Sequence, residues 1–153
     1  GSPQEAIEDV DIIQVATNTG GRPDPVAFRG EWMFPGVHVN SIASTMPKQR
    51  EVDGDTFLRA DRIAFDSKAH VEEESGDVIV AKQEGKYDSS KVWDLKEMVA
   101  GKVPSRTGDQ EITLYKSVGT ALQDVAAGYA VYQKALSLSL GKEIGEFLDV
   151  KGA

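Results

Sequence analysis

The sequence predicts an α/β fold with a mostly parallel sheet and flanking helices. Short apolar runs rich in β-branched residues begin near positions 11, 37, 62 and 112, and helical patterns separate most of them. Strands that alternate with helices form a parallel sheet, because each helix returns the chain to the same end of the sheet. A chain of 153 residues is the size of one domain, and the sequence shows no clear boundary between two domains.

The chain is predicted to begin with a short helix and a strand. Ser2, Pro3 and Glu5 form a capping pattern typical of a helix start. Residues 12–16 are almost all apolar, as in a strand that is covered on both faces. A loop of turn-forming residues, 17–23, follows.

The middle of the chain is predicted to continue the alternation. Residues 37–42 form the second strand, 51–60 a short helix, and 62–66 the third strand. Ser67 precedes a helix over 68–74. The apolar run 77–81 predicts a fourth short strand, and the spacing of apolar residues over 91–100 predicts another helix.

The last elements are a strand over 112–115 and the longest helix. The helix is indicated by apolar residues spaced alternately four and three positions apart, namely Val118, Leu122, Val125, Tyr129, Tyr132 and Leu136. Residues 138–148 either continue this helix or form another after Gly141.

Composition excludes several classes of function. The chain has 25 acidic and 17 basic residues, a net charge of −8, which argues against nucleic-acid binding. It has no cysteine and only two histidines, so we expect no disulfide, no thiolate catalysis and no metal site. No apolar run approaches the roughly 20 residues that cross a bilayer, and no signal peptide is evident, so we expect a cytoplasmic protein without a membrane partner.

The fold predicts where a ligand would bind. In open α/β sheets, ligands bind outside the carboxyl ends of the strands, where this chain places the loops 17–21, 41–47, 66–67 and 116–119. These loops are rich in small hydroxyl-bearing residues and glycine, which suit a neutral hydrogen-bonding cleft for a cofactor. The N–H groups of residues 116–119, between a strand and a helix, could meet a phosphate or a carboxamide.

The usual dinucleotide-binding motif, G-x-G-x-x-G, is absent from the sequence. The chain therefore looks like the second part of a nucleotide-binding fold that lacks its first Gly-rich βαβ unit.

Several stretches, in order and with their spacing, resemble the ornithine cyclodeaminase/mu-crystallin family. They are DIIQVAT at 11–17, GVHVNSI at 36–42, REVD at 50–53, AFDS at 64–67, SGD at 75–77, TLYKSVG at 113–119, LQDVAA at 122–127 and VY at 131–132. The resemblance implies a Rossmann fold that uses NAD or NADP. It also implies hydride transfer at a carbon–nitrogen centre of a small amino or imino acid.

The resemblance also implies site residues. Thr17 would end a strand beside the cofactor, and the segment Ser41, Ile42, Ala43 and Ser44 would contact its nicotinamide side. Ser117 and Gly119 match a turn near the cofactor. Residues 118–148 match helices that pack on a separate dimerisation domain.

Two departures from the family lead to further expectations. Thr45, which is either a catalytic residue on the substrate side or an ordinary loop residue, replaces an aspartate of the cyclodeaminases and cannot act as a carboxylate base. The family's N-terminal half is missing, so we expect a partial domain that is catalytically silent, binds NAD or NADP weakly or not at all, and forms a homo-oligomer. The alternative is a non-catalytic binding or structural module derived from the same fold.

The remaining polar candidates have simpler interpretations. Lys116 either pairs with a carboxylate or is solvated. His38, which alternates with two valines on a strand, is expected to be a structural histidine with hydrogen-bond partners, and His70 is expected to be exposed.

Overall fold

A computed structural model describes residues 1–145 and contains a five-stranded parallel sheet. The strands are β1 (Ile12–Val15), β2 (His38–Ser41), β3 (Arg62–Phe65), β4 (Val92–Asp94) and β5 (Thr113–Lys116). Their order across the sheet is β1-β2-β5-β3-β4. The α-helices are α1 (Gly54–Arg59), α2 (Lys68–Glu74), α3 (Gly76–Gln83), α4 (Leu95–Val99) and α5 (Ala121–Ser137). Single 3-10 turns lie at Glu5–Ile7, Gly30–Trp32 and Ser89–Lys91. The predicted α/β class and parallel sheet are confirmed.

The core lies on one face of the sheet. Five residues in register, one from each strand, point into it and are buried: Ile13, Val39, Leu114, Ile63 and Val92. Buried side chains of the first three helices, among them Phe57, Val71 and Val78, join the same cluster. Burial of this apolar row is what holds the carboxyl ends of the strands in line.

The opposite face of the sheet is more polar. His38 bonds to Thr113 through Nδ1 at 2.7 Å and to Asn40 through Nε2 at 3.0 Å, which is the structural role expected for it. The Arg62 guanidinium lies 5.4 Å from the centre of the Trp93 ring. A cavity of about 500 Å³ opens on this face.

The prediction of a strand over 77–81 is wrong, because these residues belong to α3. Val78 and Ala81, three positions apart, are buried on one side of the helix, which is helical spacing. Asp77 is also fully buried and binds backbone N–H groups of a neighbouring segment. Tertiary contacts therefore override the β propensity of the run.

The prediction of one helix over 91–100 is also wrong in its first half. Val92–Asp94 form β4, which pairs with β3, and only Leu95–Val99 are helical. The turn of chain from strand to helix occurs at Asp94, whose side chain caps α4 in a capping box with Glu97.

Two further expectations need correction. Strand β1 is covered on one face only, since Ile12 and Gln14 are exposed while Ile13 and Val15 are buried. Successive side chains of a strand point to opposite faces of the sheet, and only the face that carries Ile13 and Val15 packs on the core. The helix expected over 51–60 begins only at Gly54, where Asp53 caps it. Of the residues expected to make its apolar contacts, Val52 and Phe57 are buried and Leu58 is exposed.

The chain divides into two compact units, the second starting at Thr120. In the second unit, α5 starts with a capping box formed by Thr120 and Gln123. The predicted helix is confirmed but ends at Ser137, and residues 138–145 are not helical. Its predicted apolar residues from Leu122 to Leu136 are exposed. The apolar residues Phe147 and Leu148 lie outside the described part of the chain. No helix within residues 1–145 is long and apolar enough to cross a membrane.

Candidate functional site

A cavity of about 480 Å³ lies at the carboxyl ends of β1 and β2. Its walls are three segments: residues 17–22 after β1, residues 42–45 after β2, and residues 48–51, with Pro25 at the rim. This is the edge of the sheet at which a ligand is expected. The volume falls within the usual range for a small-molecule site, about 300–1,000 Å³.

The cavity brings together most of the residues that the sequence singled out. Thr17, Ile42, Ala43, Ser44 and Thr45 all line it. Their positions follow from the register, in which Val15 of β1 and Ser41 of β2 are paired, so that both strands end at the same level. Their roles toward a cofactor or substrate stay predictions.

The loop after β2 is held in a defined conformation. Ser44 adopts a positive φ of 58° and its hydroxyl donates to the carbonyl oxygen of Gln49 at 2.7 Å. The N–H of Thr45 donates to the Gln49 side-chain oxygen at 3.1 Å. A positive φ is uncommon for a residue with a side chain, so the surrounding bonds impose this turn. It leaves the Thr45 side chain exposed at the cavity.

Three other predicted site residues do not line the cavity. Ser41 is fully buried behind it. The Ser117 hydroxyl donates to Oδ2 of Asp66 at 2.7 Å, and the N–H of Gly119 donates to the same oxygen at 2.8 Å. Of the N–H groups expected to meet a phosphate or carboxamide, those of Val118 and Gly119 donate to the carboxylate of Asp66, directly after β3, and that of Ser117 donates to the Ser41 carbonyl oxygen. The cofactor roles of Ser41, Ser117 and Gly119 stay predictions.

Lys116 lies at the end of β5, on the core side of the sheet, and is fully buried. Its Nζ lies 3.2 Å from Oδ2 of Asp77 and 3.3 Å from Oγ of Ser41, and it also donates to the carbonyl oxygen of Ala43. Burial, opposed by the Asp77 carboxylate, lowers the pKa of Lys116. Of the two interpretations that the sequence left open, pairing with a carboxylate is the one observed.

The second oxygen of Asp77 binds the opposite wall of the cavity. Asp77 Oδ1 accepts from the N–H of Glu51 at 2.8 Å and of Val52 at 3.2 Å, and Arg50 Nε lies 3.5 Å away. Two basic and two acidic side chains therefore lie close together here: Lys116 and Asp77 are fully buried beneath the cavity, and Arg50 and Glu51 line it.

Glu51 contributes a buried carboxyl group to the cavity floor. It is 2% exposed, lines the cavity, and its Oε2 has no hydrogen-bond partner among the described residues. Burial raises the pKa of Glu51, and hydrogen bonds from Thr17 oppose that effect. An acceptor without a partner at the base of a cavity is the kind of group that a ligand N–H or O–H can satisfy.

Sequence reasoning missed Asp77 and Glu51 as parts of this site. Both lie in stretches that resemble the family, SGD at 75–77 and REVD at 50–53. An acidic residue directly before an apolar run, as Asp77 stands before Val78–Ala81, was the available signal.

Comparisons with known proteins agree with this architecture. The sequence model of the ornithine cyclodeaminase/mu-crystallin family matches residues 1–139. A Delta(1)-pyrroline-2-carboxylate reductase of Bacillus cereus is 33% identical over 141 residues, which make up 92% of this chain and 42% of the relative. The resemblance noted in the sequence is confirmed.

Solved structures extend the comparison to the fold. The Delta(1)-pyrroline-2-carboxylate reductase of Thermococcus litoralis, in complex with NADH and L-proline, superposes with a TM-score of 0.81 and 36% identity, covering 94% of this chain and 43% of that one. An archaeal alanine dehydrogenase dimer with bound NAD gives 0.69 and 30%, covering 90% and 41%. The predicted Rossmann-like fold and the NAD(P) dependence of the family are confirmed. The chain spans about two-fifths of the length of these relatives.

Proposed function

Because this chain belongs to the ornithine cyclodeaminase/mu-crystallin family, we propose that it forms a portion of an NAD(P)-dependent oxidoreductase that acts on amino or imino acids. The reaction is hydride transfer at a carbon–nitrogen centre, in the cytoplasm. We also propose that the 153-residue chain is catalytically silent by itself, since it spans only about two-fifths of the length of its relatives.

One observation carries the proposal: the cavity at the carboxyl ends of β1 and β2 is lined by Thr17, which the family resemblance places beside the cofactor, and by Ala43 and Ser44, which it places at the nicotinamide side. Its hydroxyl groups, backbone and buried Glu51 acceptor fit the nicotinamide end of a dinucleotide, which offers hydroxyl and amide donors. The sequence has no G-x-G-x-x-G loop for the pyrophosphate, so this fit covers only part of the cofactor.

The cofactor supplies or accepts the hydride, and the chain's contribution is to position it. Thr17 and Ser44 hold the nicotinamide end between two fixed strand ends. The nicotinamide is then already oriented for reaction with the substrate, so less entropy is lost on reaching the transition state than when the two molecules meet in solution. Thr45 lies on the substrate side, where a neutral hydroxyl can bind a carboxylate or imine but cannot hold an ammonium by charge. Reduction therefore fits this cavity better than cyclodeamination.

The proposal can be tested by NMR titration of the chain with NADH and NADPH at millimolar concentration. We expect amide shifts confined to residues 17–22, 42–45 and 48–51, and none on the polar face around His38. Ala43→Leu, which fills the cavity from one wall, should weaken these shifts, whereas Ala69→Leu, on the exposed side of α2, should leave them unchanged. Shifts scattered over the surface, or none, would contradict the proposal.

Catalytic silence has its own assay. The chain is mixed with NADH or NADPH and either pyruvate with ammonia or a cyclic imino acid, and nucleotide absorbance is followed. We expect no turnover above background. Clear turnover by the chain alone would show that its proposed dependence on further residues is wrong.

A second candidate, a non-catalytic binding or structural module, is favoured by the exposed apolar residues of α5. Leu122, Val125, Tyr129 and Leu136 are each more than half exposed, and such a stripe tends to find a partner. Calorimetry separates the two candidates: no dinucleotide binding, even at millimolar concentration, favours the module.

We further propose that the chain forms a homodimer or a higher oligomer through α5. The archaeal alanine dehydrogenase relative was solved as a dimer. Light scattering at high protein concentration tests this, and a monomer there would count against it.

A further inference from the structure

Two segments that carry walls of the cavity are joined beneath it by one buried ion pair. Residues 41–45, of which Ser41 lies behind the lining, are here called the first wall, and residues 49–52, of which Val52 lies behind the lining, the second wall. Lys116 binds the first wall through Ser41 and Ala43. Asp77 binds the second wall through the backbone N–H groups of Glu51 and Val52. The two side chains meet at 3.2 Å and both are completely buried.

Hydrophobic packing does not explain this pair. In the register of the sheet, Lys116 lies beside Ser41 and Phe65, in a row that faces the core. Taking two charges out of water is expensive, and well-packed apolar residues at such places often give equal or greater stability. An ammonium, however, has three donors, and this one lies against three oxygen atoms in two segments: Ser41 Oγ and the Ala43 carbonyl in the first wall, and Asp77 Oδ2 in α3.

The second wall is also fixed from its far side. The Thr19 hydroxyl donates to the carbonyl oxygen of Arg50 at 2.5 Å, which ties residues 17–22 to the same frame. Gly76, directly before Asp77, allows the backbone of the second wall to approach α3 closely, since an added Cβ would lie 2.0 Å from the Gln49 carbonyl oxygen. Every wall of the cavity is thus connected, directly or through one bond, to the ion pair.

We propose that Lys116 and Asp77 are positioning residues that set the distance and orientation of the two cavity walls, and so the geometry in which the nicotinamide end is held. The role in ligand binding rests on the proposed function, whereas the positioning itself does not. Neither side chain contacts the ligand, because both lie beneath the walls.

The test compares Lys116→Met with Leu114→Ala. Leu114 lies two residues earlier on β5, faces the same core and is 1% exposed, but its apolar side chain forms no hydrogen bond with either wall. Hydrogen exchange is followed at the bonded amides of Ile42, Thr45 and Gln49. We expect Lys116→Met to speed their exchange about tenfold or more relative to Leu114→Ala at matched global stability, since a charge-assisted bond is lost.

Asp77→Asn serves as a milder variant if Lys116→Met does not fold, because asparagine keeps the oxygen that accepts from the second wall but loses the charge. The positioning role would be overturned if the ion-pair variant, Lys116→Met or Asp77→Asn, and Leu114→Ala raised the exchange rates equally across the whole sheet.

NADH-induced amide shifts in the same variants test the connection to ligand binding. We expect them to weaken severalfold in the ion-pair variants and to persist in Leu114→Ala. Unchanged shifts despite faster local exchange would overturn the role toward the ligand. Absence of shifts in the unmodified chain would refute the proposed function instead, and the exchange measurement would still decide whether the pair positions the walls.

Discussion

Gly76→Ala is expected to destabilise the first compact unit, since a methyl group there collides with backbone. A Cβ on Gly76 would lie 2.0 Å from the carbonyl oxygen of Gln49 and 2.7 Å from that of Pro47, where ordinary contact begins at 3.4 Å. The Gln49 oxygen would have to move by about 1.4 Å, which disturbs the hydrogen bond that it accepts from the Ser44 hydroxyl.

The magnitude follows from three contributions. Overpacking costs about 1–3 kcal/mol, and the weakened Ser44 bond costs about 1 kcal/mol. Reduced backbone freedom of the unfolded chain returns about 0.4–1 kcal/mol. We therefore expect the free energy of unfolding to fall by about 2 kcal/mol, which at a typical slope of about 1–3 kcal/mol per molar urea lowers the midpoint by about 1 M.

Urea unfolding followed by tryptophan fluorescence provides the assay, because both tryptophans, Trp32 and Trp93, lie in the first compact unit. Gly54→Ala is the matched control: Gly54 is also the first residue of a helix, but its added Cβ would meet only the flexible ends of Glu84 and Lys86. We expect this control to stay within about 0.5 kcal/mol of the unmodified chain. Equal stability of the two variants would refute the reasoning from backbone contact.

Three further predictions concern a cap, a buried acid and α5. Asp53→Ala should lower the free energy of unfolding by about 1–2 kcal/mol in urea titrations, because Asp53 Oδ1 accepts from the N–H groups of both Thr56 and Gly30. Asp53→Asn should recover most of this loss. If Asp53→Asn lost as much stability as Asp53→Ala, the capping role would be contradicted. The pKa of Glu51 is raised in the folded chain, so at a pH above the ordinary carboxyl pKa the folded state binds more protons than the unfolded state. The stability of the fold therefore falls as pH rises from the ordinary pKa to the raised one. Glu51→Gln should therefore gain stability relative to the unmodified chain as pH rises from about 4.5, the ordinary carboxyl value; a difference that is flat with pH would show this to be wrong. Finally, Leu136→Lys should shift the proposed oligomer toward monomer in light scattering, and an unchanged mass would locate the interface elsewhere.

Local patterns in the sequence predicted the elements whose stability is mainly local or regular. Four strands and the helices α2 and α5 lie close to their predicted positions, because alternation and helical spacing are read directly from neighbouring residues. The family resemblance placed Thr17 and residues 41–45 at one site, and the structure lines one cavity with all of them except Ser41.

The errors lie where distant contacts decide. Asp77 belongs to a helix because its carboxylate caps N–H groups 25 and 26 positions earlier in the chain, a contact that no local pattern reveals. Val92–Asp94 form a strand because β3 offers a partner in register. Contacts with distant residues also explain why the sequence left the role of Lys116 open. Two of its partners, Ala43 and Ser41, lie 73 and 75 positions away in the chain.

The edge position of β1 affects how this chain behaves in solution. Among the described residues, β1 pairs on one side only, with β2, so its other side presents free N–H and C=O groups that could template association with another molecule. Two features discourage such pairing. The strand is only four residues long, which limits the number of bonds that another chain could form, and the exposed carboxylates of Asp9 and Asp11 precede it and repel a second copy. Replacing these two aspartates, or lengthening the strand, would remove that protection, and association of chains through this edge is the consequence to expect.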